Sequence, residues 1–227
     1  MSRREHTVPL PAGYRREDAF TFHGRDADAL AEQVDADAGR IRKGVLLDGV
    51  PTVLDITLHA DRAGCVVDSD GAAASAIAVD DALVNMLGLR IDPAPFEHAV
   101  RDDVPFGPVV ARQPGLRVIQ SATVFEALTW AIIGQQINLP FAIALRRTFV
   151  KLAGRAHSSG LWCYPEAADV ARLDVEQLTS RKFSGAKAET LLRFARLVAD
   201  GALSLDRTAD AADVSERLLA VKGIGPW

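Results

Sequence analysis

Two glycines one residue apart, Gly223 and Gly225, close the chain within Val221, Lys222, Gly223, Ile224, Gly225, Pro226 and Trp227. A turn this tight needs backbone angles that residues without a Cβ adopt most freely. Such a turn can be a plain helix C-cap. It can also leave successive backbone N–H groups unpaired and aimed outward, which makes a socket for a phosphate oxygen, with Lys222 as an electrostatic helper. Metal chemistry has no comparable support. The two cysteines, Cys65 and Cys163, are far apart and outside any ligand spacing, so both are expected to be reduced, partly buried small hydrophobes rather than ligands of zinc or an iron–sulfur cluster. His23 and His59 are expected at the surface or in structural hydrogen bonds.

The elements that must position the hairpin follow from apolar spacing and caps. Leu218 and Leu219 belong to a short helix that delivers it, capped by Asp213 and Glu216. Upstream, Thr123 and Glu126 predict a capping box before a helix with Val124, Phe125, Leu128, Ala131 and Ile132 on one stripe. Pro140 fits the first turn of the next helix, which runs to about Leu152 with Gly154 as its stop. Asp174 and Gln177 start a short helix. Ser184 caps another, with Leu191, Leu192, Phe194, Ala195 and Val198 apolar and Gly201 at its end.

Before these helices the pattern is different. Leu54, Ile56 and Leu58 alternate with Asp55, Thr57 and His59, and Asp48-Gly49 and Arg62-Ala63-Gly64 supply turns, so residues 44–68 predict antiparallel strands. Tyr14 to about His23, with Phe20 and Phe22 two apart, is expected as a strand. Asp26 to about Ala38, with Leu30 and Val34, is expected as a covering helix. Residues 1–13 are polar, proline-bearing and expected to be poorly fixed. The expected fold class is therefore α+β, with a sheet domain over 1–79, helices and a connection over 80–120, and a helical core over 121–227.

The chain has 227 residues, 48% hydrophobic and 25% charged, an ordinary globular balance. Its net charge is -4, but residues 1–120 hold 13 Lys and Arg against 19 Asp and Glu, whereas residues 121–227 hold 13 against 11. The weakly basic half is the one with the glycine hairpin, as a polyanion partner would favour. No apolar run has membrane-spanning length and no signal-peptide core follows Ser2, Arg3 and Arg4, so a soluble intracellular protein is expected.

Ala131, Ile132, Ile133, Gly134, Gln135, Gln136, Ile137 and Asn138, the helix start Ser184, Gly185, Ala186, Lys187 and Ala188, and the terminal hairpin together resemble the helix-hairpin-helix superfamily of base-excision DNA glycosylases. The likeness is strongest to the bacterial 3-methyladenine glycosylase II branch and covers Thr123 to Trp227 best. It implies a helix-hairpin-helix glycosylase core and an enzyme that flips an alkylated base out of duplex DNA and hydrolyses its N-glycosidic bond. By the same resemblance Gly223, Ile224 and Gly225 would hold a DNA phosphate with help from Lys222. A monovalent cation could sit on the hairpin carbonyls, and no other cofactor is implied. Gln136 would be the wedge that fills the gap left by the flipped base, where the best-known relative has an apolar residue; an exposed loop glutamine is the alternative. Trp227 stands where bifunctional relatives carry a lysine nucleophile. An indole forms no Schiff base, which implies a monofunctional enzyme, and its electron-rich ring would suit a cationic alkylated purine in the base pocket. Simple packing is the other role open to it. The resemblance further implies a monomer acting on alkylated double-stranded DNA, cytoplasmic and nucleoid-associated.

One departure is large. The superfamily's catalytic aspartate lies one helix and a loop beyond the hairpin, and this sequence ends before it. Asp200, Asp206, Asp210 and Asp213 all precede the hairpin, so no catalytic residue is assigned. The expectation is a truncated core, inactive in glycosidic cleavage, with an open cleft beside Trp227 and an apolar patch formed by Leu83, Leu87, Leu89, Phe96 and Val100. Two other readings stay open: a non-enzymatic DNA-binding module using the hairpin alone, and a helical interaction domain in which the glycine turn is structural.

Overall fold

The computed structural model describes residues 2–206 and 208–226. Its N-terminal part is a five-stranded antiparallel sheet in the order β1-β5-β4-β3-β2, made of β1 (Ser2–Pro9), β2 (Glu32–Asp35), β3 (Arg40–Leu47), β4 (Val50–Leu58) and β5 (Arg62–Ser69). Alternation in β4 puts Leu54, Ile56 and Leu58 on the covered face, as period-two patterning requires. Ile41, Cys65 and Val67 join them, and α1 (Arg16–His23) and α2 (Ala76–Met86) cover this face with Ala19, Phe20, Val79, Leu83 and Met86. Cys65 and Cys163 are both free and buried. Burial pushes their thiols up, to about 12 and about 11.

Three early segments differ from the sequence expectation. Residues 2–9 form β1, in register with β5 from Ser2↔Ser69 to Pro9↔Arg62; backbone pairing orders a stretch that is polar by composition. The segment 16–23 is helix α1, burying Ala19, Phe20 and His23 at helical spacing with Glu17 and Asp18 in its first turn. Two aromatics two residues apart do not distinguish a strand from such a face. The predicted helix over 26–38 is instead a turn followed by β2, paired Glu32↔Lys43 and Val34↔Ile41. A buried Glu32–Lys43 ion pair across the strands outweighs the helical propensity of the alanines.

The helical part consists of α3 (Ala94–Ala99), α4 (Gly107–Val110), α5 (Val124–Gly134), α6 (Leu139–Ala153), α7 (Ala167–Ala171), α8 (Val175–Thr179), α9 (Gly185–Ala199) and α10 (Ala211–Leu219), with a two-stranded ribbon, β6 (Arg155–Ala156) and β7 (Trp162–Cys163). Caps at Ser184 and Asp174 and the stop at Gly154 stand as read from sequence. Among 80–100, Leu83 and Leu87 are fully buried in the sheet core and Leu89 packs against it. Phe96 is 58% exposed. The apolar patch expected there is thus confined to α3 and its neighbours, because α2 is held on the sheet.

The sheet and the helices share one joint. Strand β3 leaves β2 at Gly44 and continues alongside β7: Tyr164 N donates to Gly44 O at 3.1 Å, and Leu46 N donates to Tyr164 O at 3.0 Å. A Cβ on Gly44 would lie 2.2 Å from Trp162 O, so only glycine permits this crossing. Beneath it sits a buried ionic cluster. Lys43 Nζ donates to Glu32 Oε1 at 3.0 Å and to Glu126 Oε1 at 2.5 Å, and Arg146 reaches both carboxylates. Thr123 Oγ1 accepts from Glu126 N at 3.1 Å, but the Glu126 carboxylate turns into this cluster instead of closing the expected capping box. The buried stripe of α5 accordingly runs through Phe125, Glu126, Thr129, Ile132 and Ile133, while Val124 is exposed.

Candidate nucleic-acid interface

The terminal hairpin is set by α10. Its N-cap is Asp210, whose carboxylate accepts from Ala212 N and Asp213 N at 3.0 and 2.9 Å, three residues ahead of the Asp213 cap expected from sequence. Val214 and Leu218 pack toward the helical core, and Val221, 4% exposed, anchors the end of the helix. The chain then reverses: Ile224 N donates to Val221 O at 2.9 Å and Gly223 has φ 99°. A Cβ at Gly223 would lie 2.0 Å from Thr190 Oγ1. Gly223 is therefore required twice, by its left-handed backbone and by its close approach to α9.

The hairpin's polar groups divide unevenly. The Ile224 amide is spent inside the turn and its side chain packs on the core, which removes it from the expected phosphate socket. Among the described residues, the Gly223 and Gly225 amides have no intramolecular acceptor. Lys222 is exposed beside them. On the carbonyl side, Arg193 Nη1 donates to Lys222 O at 2.8 Å, and Val221 O already accepts the Ile224 amide. Trp227 lies outside the described residues.

A second loop faces the hairpin. Helix α5 ends at Gly134, Gln135 caps it with φ -54° and ψ 129°, and Gln136 is exposed with φ 55°. Asn138 then opens α6, its Oδ1 accepting from Phe141 N at 2.9 Å. A left-handed glutamine costs about 1 kcal/mol or more unless its surroundings hold it. Lys187 supplies that hold, since Nζ donates to Ile133 O at 2.6 Å and to Gln135 O at 3.2 Å. Burial lowers the pKa of this ammonium. The two loops border one groove of about 290 Å³, lined by Gln135, Gln136, Lys182, Ser184, Lys187 and Gly223. Sequence reasoning singled out Ser184–Ala188 as a motif but gave Lys187, Thr190 and Arg193 no role. Their three-residue spacing along an otherwise apolar-striped helix was the available signal.

The run Phe22 to Asp26 lies at the joint of sheet and helices. His23 bonds Glu32 Oε1 at 3.2 Å and Met86 O at 2.9 Å. The Arg25 guanidinium lies 4.0 Å from the Phe22 ring centroid and 5.1 Å from that of Trp130, and Asp26 accepts from Arg147 at 3.0 Å.

No protein-family model matches the sequence. A DNA-3-methyladenine glycosylase of Bacillus subtilis is 37% identical over 142 residues, 60% of this chain and 46% of that protein. A putative DNA-3-methyladenine glycosylase of the same organism is 36% identical over 115 residues, 50% of this chain and 40% of its own length. These matches agree with the glycosylase resemblance carried by the hairpin and the Ser184–Ala188 helix start. The chain spans less than half the length of these curated relatives. A 3-methyladenine DNA glycosylase from Archaeoglobus fulgidus shares the fold, with a TM-score of 0.78 over 98% of this chain and 76% of the solved protein, at 24% identity.

Proposed function

We propose that this chain is the DNA-engaging portion of a base-excision repair glycosylase that removes alkylated bases such as 3-methyladenine. The observation that carries the reading is the shared groove: the exposed tip Gln136 and the hairpin's Gly223 border one cleft, and the Gly223 and Gly225 amides have no intramolecular acceptor among the described residues. Unpaired amides next to the exposed Lys222 suit a phosphate, which fixes register without reading sequence. A protruding side chain one groove-width away suits the gap left when a base leaves the stack. The 3-methyladenine glycosylase names of the two Bacillus subtilis relatives supply the substrate class.

Within this reading Gln136 is the wedge, Gly223, Gly225 and Lys222 hold the phosphate, and Trp227, assigned from sequence alone, stands at the base pocket. An indole in place of an amine nucleophile makes the enzyme monofunctional. Release of free base without strand scission is its signature. A monovalent cation at the hairpin would have to share carbonyls already engaged by Arg193 and the Ile224 amide.

The test is binding of the 227-residue protein to a duplex with a tetrahydrofuran abasic analogue and to the same duplex intact, across salt concentrations. The expected result is tighter binding of the abasic duplex together with affinity that falls as salt rises. Equal, salt-independent binding of both duplexes would overturn the reading.

A further inference from the structure

We propose that α9 is the spacer that holds the two groove loops at a fixed separation, with Lys187, Thr190 and Arg193 as positioning residues. The inference rests on the DNA reading above and adds to it a coupling between wedge and phosphate grip. The loops at 135–137 and 222–225 are remote in sequence, and each is fastened to the same helix. Lys187 holds the first through Ile133 O and Gln135 O. Arg193 holds the second through Lys222 O, and Thr190 lies directly under Gly223, with its Oγ1 3.4 Å from the same carbonyl. Lys187 and Arg193 are six residues apart, about 9 Å of helix rise. The helix between them is rigid because Ala188, Leu191, Leu192, Phe194 and Ala195 are buried in the core.

The simpler assignment for a lysine in such a groove is direct contact with a phosphate. The geometry points elsewhere, because the ammonium is committed to two carbonyls at the end of α5, where a cation also answers the helix dipole. Its grip on Gln135 O fixes the peptide just before Gln136, so the left-handed backbone of the wedge residue is set before DNA arrives. A protein that must grip a phosphate and fill a gap in the same duplex depends on the distance between the two, and a shift of about 1 Å at such a pair can cost roughly a hundredfold.

The experiment uses the 227-residue protein with Lys187→Met, Lys187→Arg, Gln136→Ala and the Lys187→Met/Gln136→Ala double variant. Hydrogen exchange without DNA is read at 134–138, and affinities are read for intact and tetrahydrofuran duplexes. Lys187→Met is expected to speed exchange at 135–137 and to lower the preference for the abasic duplex roughly tenfold, beyond the uniform loss that removing one positive charge brings to both duplexes. Lys187→Arg should rescue both. The double variant should lose no more preference than either single one, since both act through one loop. Unchanged exchange overturns the spacer whatever happens with DNA. Equal weakening on both duplexes, or additive losses in the double variant, assigns Lys187 to direct DNA contact and overturns it as well. Absence of abasic preference in the unsubstituted protein would defeat the wedge role of Gln136 and the coupling with it, while the exchange result would still decide whether Lys187 holds the loop.

Discussion

The joint beneath Tyr164 and the groove beside Gly223 both hold cations, and they satisfy them differently. In the joint, Lys43 and Arg146 meet the carboxylates of Glu32 and Glu126, with all four side chains buried. At the groove and behind its hairpin, Lys187 and Arg193 instead donate to backbone carbonyls, at the end of α5 and in the turn after α10. Paired opposite charges neutralise each other and leave no field to recruit a ligand. Cations on carbonyls keep their net charge, so the groove stays electropositive in a protein whose formal charge is -4. The joint is built to hold and the groove to receive an anion.

The largest expected effect breaks the joint. Lys43→Met leaves Glu32 and Glu126 sharing Arg146, and removing one partner of a buried ionic group costs about 3–5 kcal/mol. Urea denaturation measures it, and adding Glu126→Gln should recover part of the loss; a loss below about 1 kcal/mol would show that the cluster is not balanced as described. A smaller effect belongs to the groove. Gly223→Ala forces a Cβ against Thr190 and keeps a left-handed backbone, for about 1–3 kcal/mol, together with weaker binding of intact and abasic duplexes alike. If stability falls and affinity does not, the hairpin is structural only.

The smallest effect near neutrality is the pH dependence of the joint. Burial alone would raise the carboxyls of Glu32 and Glu126, but Lys43 and Arg146 hold both below the usual range. A carboxyl lowered in the folded state contributes stability that is present above its unfolded pKa of about 4.3 and is lost as pH falls toward the folded value. Melting temperature should therefore be flat from pH 7 to about 5 and decline below about pH 4.5. In Lys43→Met the decline should begin at higher pH, because the lowering charge is gone. Coincident profiles for the two proteins would remove Lys43 from the cause.

What the sequence made legible was local. The alternation of Leu54, Ile56 and Leu58, the Ser184 cap and the glycine hairpin each depend on residues within a few positions of one another, and all three are present. Partnerships across the chain were not legible. Glu126 reads as the third residue of a capping box, yet its carboxylate is claimed by Lys43, 83 residues earlier. β1 and β2 owe their conformation to pairing with β5 and β3, which their own composition does not announce. In the groove, Gly223 could be read as a turn residue, whereas the Thr190 contact that forbids any Cβ there is a tertiary fact. Lys187 was visible as part of a motif, but its acceptors are backbone oxygens, which carry no sequence signature.

The passage of β3 from β2 to the segment at Tyr164 bears on how the molecule is made. Val45 and Tyr164 are bridged in parallel across about 120 residues of chain. A pairing that distant closes late, because the loop entropy must be met before the contact forms. As synthesis proceeds, strands β1 to β5 emerge first with the far half of β3 unpaired along one edge. An unpaired edge is a template for other strands until something covers it. Gly44 narrows that exposure to the few residues where the later segment must fit, and the charges of Lys43 and Arg42 flank it. The same glycine that admits Trp162 in the finished protein thus marks the stretch most open to mispairing before residues 162–164 have been made.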